Sequence, residues 1–379
     1  MRIGFDAKRL YCNFTGLGNY SRTLLKNLGE FYPDNEYFLY TPKIKISPET
    51  KFFLESSDYQ THLCTSFFKS FWRSYSIVDQ LKKDKIELYH GLSHELPVNI
   101  HKSKIKSIVT IHDLIFKQYP QNYPAFDRKV YDLKFKNSCI HADRIIAISN
   151  STKNDIIKFY NINPDKIDVV HQSCNPIYFE ETESDESAAV LQQYNIPDEY
   201  LLYVGSVEKR KNLKALIEAY QKLPSDVKVP LVIVGKGKKY KEEIKELIKV
   251  SGIGKLIIWI DNLQSNHHLQ SVYQNSLALI YPSFYEGFGL PVIEALLSKT
   301  PVITSNVSSL PEAAGPNSFC IDPNNSEEIA DAIKQVLSNY ELRENMKIEG
   351  YKYAMENFAA QIVTKKMIES YKQTLQNNS

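Results

Sequence analysis

Two glutamates eight positions apart carry the strongest chemical signal in the sequence. In the segment YPSFYEGFGLPVIEALL, Glu286 and Glu294 flank a Gly-Phe-Gly-Leu-Pro run that follows an apolar strand pattern. Glycine lets the backbone approach a ligand, and proline is typical of the first turn of a helix. The N–H groups of Phe288, Gly289 and Leu290 would therefore point out of a helix start, which suits a phosphate. An ordinary strand–helix connection with solvated acids is the alternative.

Three consecutive cations follow another apolar strand pattern. The segment GSVEKRKN comes directly after YLLYV and contains Lys209, Arg210 and Lys211. Cations at the carboxyl end of a strand, ahead of a helix, are able to neutralise a diphosphate. The alternative is a solvated helix start that Asn212 caps.

A histidine and an aspartate leave a buried strand together. His112 and Asp113 close the segment IKSIVTIHD, and residues of these types at a strand end are candidates for catalysis or for contact with a sugar. Packing or capping at the strand end is the alternative interpretation.

A glycine pair near the N-terminus indicates a further ligand loop. Gly16 and Gly18 precede a helix that we predict to begin near Asn19, and a helix start of this kind suits a phosphate or a sugar. It is not a dinucleotide fingerprint, because Ser21 stands at the third glycine position and the glycines do not directly follow the strand.

Motifs for metal and for other chemistries are missing from the sequence. It contains no Asp-x-Asp, no Walker loop, no His-Glu-x-x-His and no Gly-x-Ser-x-Gly. We therefore expect no metal and no cofactor, so that side-chain cations and helix starts must stabilise any departing diphosphate.

The elements that must position these residues alternate between strand and helix patterns. Short β-branched or aliphatic runs are separated by longer amphipathic stretches, which predicts βαβ units and a mostly parallel sheet. The predicted strands are 3–6, 37–40, 86–90, 105–111, 144–148, 167–170, 200–204, 229–234, 255–260, 278–281, 301–304 and 318–321.

One acidic stretch interrupts this alternation. The residues EETESDES, 180–187, include no apolar side chain and are typical of an exposed connection. We therefore predict an α/β protein with two domains, 1–178 and 198–356, each a doubly wound sheet. In such sheets ligands bind beside the carboxyl ends of the strands, where most of the motifs above are located. The final amphipathic segment, 358–379, needs a surface to cover.

Composition excludes several classes of protein. The chain has 379 residues, 43% hydrophobic and 24% charged, which is ordinary for a globular protein of this length. A net charge of +2 argues against a protein that mainly binds nucleic acid. Five dispersed cysteines predict neither a disulfide framework nor a zinc site. Without a signal peptide or an apolar run long enough to span a membrane, we expect a cytoplasmic protein.

Together these motifs resemble the retaining family 4 glycosyltransferases, and the mannosyltransferase-like members in particular. The most specific part is Glu286-Gly-Phe-Gly-Leu-Pro-x-x-Glu294. Five further motifs occur in the order that the family shows: the Gly16 and Gly18 pair, His112-Asp113, ADRIIAISNSTKNDI, GSVEKRKNL and SSLPEAAG. The resemblance covers nearly the whole chain. It implies the GT-B fold, in which two Rossmann-like domains face each other and the C-terminal helix crosses back to the N-terminal domain.

The resemblance also implies roles for individual residues. Glu294 would hold the ribose of a nucleotide sugar, Glu286 would contact the donor sugar, and His112, with Asp113 beside it, would act near the reaction centre. The remaining donor-binding residues would be Gly16, Gly18, Ser206, Arg210, Lys211, Phe288, Gly289 and Leu290. Ser206 stands where many members have arginine, so neutralisation of the diphosphate would depend on Arg210 and Lys211.

The expected activity is retaining transfer of a sugar to a glycan or lipid-linked acceptor in bacterial surface polysaccharide synthesis. The RKN segment and the HD strand end most resemble members that use GDP-mannose. A UDP-sugar-dependent transferase and a nucleotide-sugar epimerase of the same fold are the alternatives.

Aromatic and basic residues are interleaved in FFKSFWRSY, residues 67–75. The pattern allows peripheral contact with the inner face of the membrane or with the acceptor. A helix with core aromatics, whose Lys69 and Arg73 reach out to solvent, is the alternative interpretation.

Overall fold

The computed structural model describes residues 1–376; residues 377–379, the end of the predicted segment 358–379, lie outside the described residues. The chain divides into two compact units. The N-terminal unit comprises Met1–Ser173 and the stretch that begins at Ala360, and the C-terminal unit comprises Cys174–Ala359. The acidic residues 180–187 therefore belong to the C-terminal unit, where a helix begins within them.

The N-terminal unit is built on a parallel sheet of seven strands. The strands are β1 (Arg2–Asp6), β2 (Glu36–Thr41), β3 (Tyr59–Leu63), β4 (Leu88–Gly91), β5 (Lys106–Ile111), β6 (Arg144–Ala147) and β7 (Ile167–Val169). Their order is β3-β2-β1-β4-β5-β6-β7. The helices between them are α1 (Lys8–Cys12), α2 (Gly16–Phe31), α3 (Pro48–Glu55), α4 (Lys69–Phe71), α5 (Ile77–Lys83), α6 (Ile115–Gln118), α7 (Ala125–His141) and α8 (Asn150–Tyr160).

The C-terminal unit is built on a parallel sheet of six strands. The strands are β8 (Leu201–Val204), β9 (Leu231–Val234), β10 (Ile257–Ile260), β11 (Ala278–Tyr281), β12 (Val302–Ser305) and β13 (Phe319–Ile321). Its helices are α9 (Ser184–Gln193), α10 (Leu213–Lys222), α11 (Lys239–Val250), α12 (Asn266–Gln274), α13 (Leu290–Leu297), α14 (Leu310–Ala314), α15 (Ser326–Ser338) and α16 (Tyr340–Phe358). The order β10-β9-β8-β11-β12-β13 reverses between β8 and β11, and ligands bind at such a switch point.

The last helix, α17 (Ala360–Gln376), completes the core of the N-terminal unit. Val363, Met367 and Ile368 are buried in the hydrophobic cluster of that unit. The Tyr371 hydroxyl lies 2.7 Å from Nδ1 of His90, and burial lowers the pKa of this histidine to about 3. The predicted amphipathic segment therefore packs against the N-terminal unit, and the buried hydrogen bond between Tyr371 and His90 fixes its position there.

These observations confirm the predicted doubly wound α/β fold in each unit and correct two details. Strand β3 was not predicted, because its sequence YQTHL has no apolar run and it lies at the sheet edge. Helix α2 begins at Gly16 rather than near Asn19, and Asn13 Oδ1 accepts a hydrogen bond from the Gly18 N–H at 3.1 Å. The two glycines thus form the first turn of the helix and not a loop before it.

Candidate active site

Helix α13 begins with a backbone conformation that favours glycine. Gly289 is the residue before the helix and has φ of +114°, a region that residues with a Cβ rarely adopt. A Cβ at this position would also stand 3.0 Å from the Leu310 side chain. Pro291 lies in the first turn, as the sequence predicts. The tight turn therefore places the helix start directly behind β11.

Two serines from the segment after β12 hold the loop that leads into α13. Ser308 Oγ accepts a hydrogen bond from the Glu286 N–H at 3.1 Å. Ser309 Oγ lies 2.9 Å from the Glu286 carbonyl and 2.8 Å from the Phe288 carbonyl, and it is fully buried. The loop is therefore fixed by side chains that lie outside the segment between Glu286 and Glu294.

The Glu286 carboxylate lies at the centre of a buried polar cluster. Its Oε1 accepts hydrogen bonds from the Tyr281 hydroxyl at 2.8 Å and from Ser283 Oγ at 3.0 Å. Arg210 Nη1 lies 2.8 Å from the same oxygen, and Lys211 Nζ lies 3.8 Å from it. Burial alone would raise the pKa of Glu286, but Lys211 and Arg210 outweigh it and hold that pKa below its usual value. Glu286 is therefore ionised at neutral pH.

Two of the three predicted cations enter this cluster. The side chains of Arg210 and Lys211 are each 12% exposed, and Lys211 Nζ donates to the Tyr281 hydroxyl at 2.7 Å. Burial lowers the pKa of Arg210, but Glu286, Tyr281 and Glu208 together raise it by more, so the guanidinium stays charged. Lys209 is 74% exposed and lies 4.0 Å from Glu243, away from the cluster. The cluster therefore holds two cations around the buried Glu286, and the exposed Glu208 lies 3.9 Å from Arg210 at its edge.

The turn that carries these cations depends on a glycine. Gly205 follows β8 with φ of +148°, and a Cβ there would stand 3.0 Å from Lys211 Nζ. The Phe284 N–H donates to the Arg210 carbonyl at 2.9 Å, which joins the loops after β8 and β11. Ser206 is exposed and its hydroxyl is hydrogen-bonded to the Glu208 carboxylate, so this position adds no positive charge.

Glu294 lies in the middle of α13 and is ionised less readily than Glu286. One carboxylate oxygen accepts a hydrogen bond from the Tyr273 hydroxyl at 3.1 Å. Burial raises the pKa of Glu294 to about 7, and this exceeds the opposing effects of Tyr273 and Lys211. The group therefore titrates close to neutral pH, and hydrogen-bond donors from a ligand would favour its ionised form.

In the N-terminal unit, His112 is buried with both ring nitrogens paired. Nε2 lies 2.9 Å from the Leu92 carbonyl and Nδ1 lies 3.2 Å from the Gln172 amide nitrogen. This pairing assigns the proton to Nε2, and burial lowers the pKa of His112 to about 4. The ring packs edge-on against Tyr20 of α2, with 4.6 Å between ring centroids. His112 is therefore neutral at pH 7 and held in one orientation.

The other predicted residues of the N-terminal unit have mainly local contacts. Asp113 Oδ1 accepts a hydrogen bond from the Ile115 N–H at 3.1 Å, at the start of α6. A Cβ at Gly18 would stand 1.7 Å from the Asn13 carbonyl oxygen, so close backbone packing explains this glycine. A Cβ at Gly16 would meet no other described atom within 4 Å. Of this glycine pair, only Gly16 borders open space.

Several residues of the site were not predicted from the sequence. Tyr281 looks like a core aromatic because it ends an apolar strand, and Tyr273 lies in the polar helix α12, but their hydroxyls bind Glu286 and Glu294. Ser309 lies in the SSLPEAAG motif, to which no chemical role was assigned, and Gln172 occurs in a segment with no chemical signal of its own. A tyrosine as the last residue of a buried strand is the one signal that would have indicated Tyr281.

Two family models match the chain. The model described as Glycosyltransferase Family 4 matches residues 14–176, and the model described as Glycosyl transferases group 1 matches residues 189–353. Each match lies mainly in one of the two units. The order of the two matches is that of the resemblance stated from the motifs.

Individual proteins that are similar to this chain are also glycosyltransferases. The O-antigen chain mannosyltransferase B of Escherichia coli is 31% identical over 77% of this chain and 76% of its own. The serotype-specific mannosyltransferase WbdA of Escherichia coli is 26% identical over 72% of this chain, but this match covers only 35% of that relative's length. A crystal structure of a glycosyltransferase from Rickettsia africae superimposes with a TM-score of 0.78 at 20% identity, covering 100% of this chain and 99% of that one.

The raised pKa of Glu294 predicts how the stability of the C-terminal unit changes with pH. Between the usual value of 4.5 and about 7, the folded state holds a proton that the unfolded chain has lost. The free energy of unfolding should therefore fall by about 1.4 kcal/mol per pH unit across this window and level off above it. Glu294→Gln should remove that slope.

Urea unfolding at a series of pH values measures this slope. Trp72 lies in the N-terminal unit and Trp259 in the C-terminal unit, so a Trp72→Phe background leaves a fluorescent reporter of the C-terminal unit alone. Glu341→Gln, which changes an exposed glutamate of α16, is the control and should keep the slope. An unchanged slope in Glu294→Gln would contradict the assignment.

Proposed function

The chain belongs to the family 4 glycosyltransferases and has their GT-B fold, and we propose that it transfers mannose from GDP-mannose to a glycan or lipid-linked acceptor. The observation that carries the proposal is the cluster of Arg210, Lys211 and Glu286 at the switch point of the C-terminal sheet. Mannose as the sugar and bacterial surface polysaccharide as the product are supported by the likeness to O-antigen chain mannosyltransferase B.

The cluster is suited to a diphosphate leaving group. Negative charge grows on the diphosphate as the bond to the sugar breaks, and fixed cations stabilise that charge without reorganising. Glu286 keeps Arg210 and Lys211 in place before the donor binds, and the start of α13 adds the N–H groups of Gly289 and Leu290. Because these groups supply the positive charge, we propose transfer without a metal ion or other cofactor.

Glu294 is suited to the ribose of the donor. Its carboxylate lies on the helix that follows Gly289, and it accepts a hydrogen bond from the Tyr273 hydroxyl. Ribose hydroxyls would add donors and favour the ionised carboxylate. Donor affinity should therefore rise with pH through the pKa of about 7.

We propose that transfer retains the configuration of the anomeric carbon by a front-face reaction. The bond from the anomeric carbon to the diphosphate oxygen breaks, and the acceptor hydroxyl oxygen bonds to the same face of that carbon. The acceptor proton passes to the departing phosphate oxygen, so that no protein nucleophile is needed. A glycosyl adduct on the protein, trapped and seen by mass spectrometry, would overturn this mechanism.

The N-terminal residues keep the roles that the family resemblance implies. His112 would contact the donor sugar as a neutral, oriented ring, because its pKa of about 4 leaves it without the second proton that a general acid would give at pH 7. Asp113 would steady the strand end beside it. Gly16, which borders open space, would line the phosphates, and Gly18 would support this turn by its close packing against Asn13. Ser206 would contact the donor only as a neutral hydroxyl.

We propose that the protein is cytoplasmic and that the segment 67–75 makes peripheral contact with the inner face of the membrane. Phe67, Phe68 and Phe71 are 91%, 71% and 58% exposed. Arg73 does not reach solvent as the sequence suggested; its guanidinium binds the buried Asp6, which anchors the segment to the end of β1. No helix among residues 1–376 is both long and apolar enough to cross a membrane.

A donor screen tests the proposed function. Purified protein should hydrolyse or transfer from GDP-mannose, and a membrane extract containing lipid-linked glycan should receive labelled mannose. Preference for a UDP-sugar would replace the donor assignment, and conversion of the donor to another nucleotide sugar without an acceptor would indicate an epimerase. If the protein bound donors but turned none of them over in any of these assays, the proposed transferase activity would be contradicted.

Neighbouring lysines give a matched test of the diphosphate site. Lys211→Ala should weaken GDP binding by about tenfold or more, because it removes a partly buried cation. Lys209→Ala should change it by less than about twofold, since the exposed lysine contributes little. Isothermal titration calorimetry measures both, and equal losses in the two variants would contradict the assignment.

Vesicle co-sedimentation tests the membrane contact. The double change Phe67→Ser and Phe71→Ser should lower binding to vesicles containing phosphatidylglycerol by roughly tenfold or more, because two exposed rings no longer insert. Val250→Ser, at an apolar residue of the C-terminal unit that is 77% exposed, is the control. Undiminished binding of the double variant would exclude this surface.

A further inference from the structure

His94 has a backbone conformation that few residues other than glycine adopt. It lies in the connection between β4 and β5 and has φ of +64°. This left-handed conformation costs free energy, which the surrounding contacts must offset. Residues held in this way are often found where a ligand binds, so the surroundings of His94 are informative.

Hydrogen bonds on both sides of His94 fix this connection. The His94 N–H donates to the Thr110 carbonyl of β5 at 2.9 Å. Two residues earlier, the Leu92 carbonyl accepts a hydrogen bond from Nε2 of His112 at 2.9 Å. Two residues later, the Leu96 N–H donates to a serine hydroxyl of α7 at 2.9 Å. The position of the His94 side chain is therefore set before any ligand binds.

The ring of His94 is oriented by two aromatic neighbours. It stacks on Phe135 of α7 with 4.2 Å between ring centroids and 4° between planes, and it meets the His112 ring edge-on at 5.2 Å. His94 is 7% exposed, and its Nδ1 is buried with no hydrogen-bond partner among the described residues. Nε2 has no partner within residues 1–376 either, but it remains accessible. The ring therefore presents one unpartnered nitrogen to a ligand.

The connection that carries His94 lies at the switch point of the N-terminal sheet. The chain runs from β1 to β3 on one side of the sheet, returns to β4 beside β1 and continues to β7 on the other side. Ligands bind in the crevice that such a reversal leaves at the carboxyl ends of the strands, where the connection after β4 begins. His94 also adjoins His112, which the family resemblance places near the reaction centre.

The charge of the ring indicates which chemical class it binds. Burial, with smaller contributions from His112 and Arg9, holds the pKa of His94 well below its usual value. The imidazole is therefore neutral at pH 7 and brings no positive charge for a phosphate or a carboxylate. A neutral imidazole nitrogen instead pairs with a hydroxyl, which both donates and accepts hydrogen bonds and so suits either tautomer.

We propose that Nε2 of His94 binds a hydroxyl of the acceptor sugar, an inference that rests on the proposed transferase function. Such an enzyme has two substrates. The groups that suit the diphosphate and the ribose of the donor belong to the C-terminal unit, whereas the neutral His94 at the N-terminal switch point suits an uncharged acceptor hydroxyl. Because the ring is already oriented, it would position that hydroxyl without first ordering a mobile side chain. His94 thus acts as a further catalytic residue by orienting the acceptor.

Steady-state kinetics with two histidine variants test this role, with the lipid-linked glycan of the membrane extract as acceptor. His94→Asn should raise the KM for the acceptor by about tenfold, because the shorter side chain loses one hydrogen bond, and should change the KM for GDP-mannose by less than about twofold. Asparagine tolerates the left-handed conformation, so the variant should fold, and its thermal midpoint verifies this. His101→Asn, at an exposed residue of the same connection, is the matched control and should change neither KM.

Imidazole NMR tests binding without turnover. In protein with ¹⁵N-labelled histidine, long-range ¹H–¹⁵N spectra report the ring nitrogens of the nine histidines, and His94→Asn identifies the His94 signals. The probes are the methyl glycosides of mannose, glucose, galactose and N-acetylglucosamine, with GDP present in excess to occupy the donor site. At least one glycoside should shift the Nε2 signal of His94, while the His101 signals should not move.

The outcomes separate this inference from the proposed function. An unchanged acceptor KM in His94→Asn, or no shift of the His94 signals with any glycoside, would overturn the inference. An equal rise in both KM values would also overturn it, because a merely loosened connection would displace His112 as well. A glycoside that shifts the His94 signals in a protein that transfers no sugar would contradict the proposed function and leave His94 as a sugar-binding residue.

Discussion

One buried carboxylate that faces two cations holds the candidate donor site together. Glu286 comes from the loop after β11, and Arg210 and Lys211 come from the turn after β8. Removal of any member would leave uncompensated charge in a buried setting, which is costly in proteins. The same interaction therefore joins the two loops and keeps the cations at a fixed place before any ligand arrives.

This cluster is possible only because of the order of the strands. β8 and β11 are far apart in the sequence but are neighbours in the sheet, paired in register from Leu201 and Ala278. Two connections lead from β8 through β9 to β10, and the chain then returns to the other side of β8. The two loops open at the same edge as a result. The reversal of the strand order therefore brings the two loops together, and the motifs supply the side chains of the site.

The sequence was sufficient for the elements and for the charged residues, but not for the contacts between them. Apolar runs predicted twelve strands, and β3 lacked such a run. Glu286 and Arg210 were recognisable because they lie in the loops that follow two buried strands. Tyr281 and Gln172 were not, because a tyrosine in a strand and a glutamine in a connection acquire their roles only through partners distant in sequence. Likewise the pKa of Glu294 depends on burial, which no local pattern reveals.

The place of α17 in the N-terminal unit has a consequence for synthesis. Its side chains Met367 and Tyr371 complete a core whose first strand, β1, leaves the ribosome before almost every other element. Domains of most proteins fold as units during synthesis, the first one before the second. Here the first unit must wait, with His90 lacking its tyrosine partner, until the entire second unit has been translated. Completion of the N-terminal fold therefore depends on a helix that is translated after the second unit.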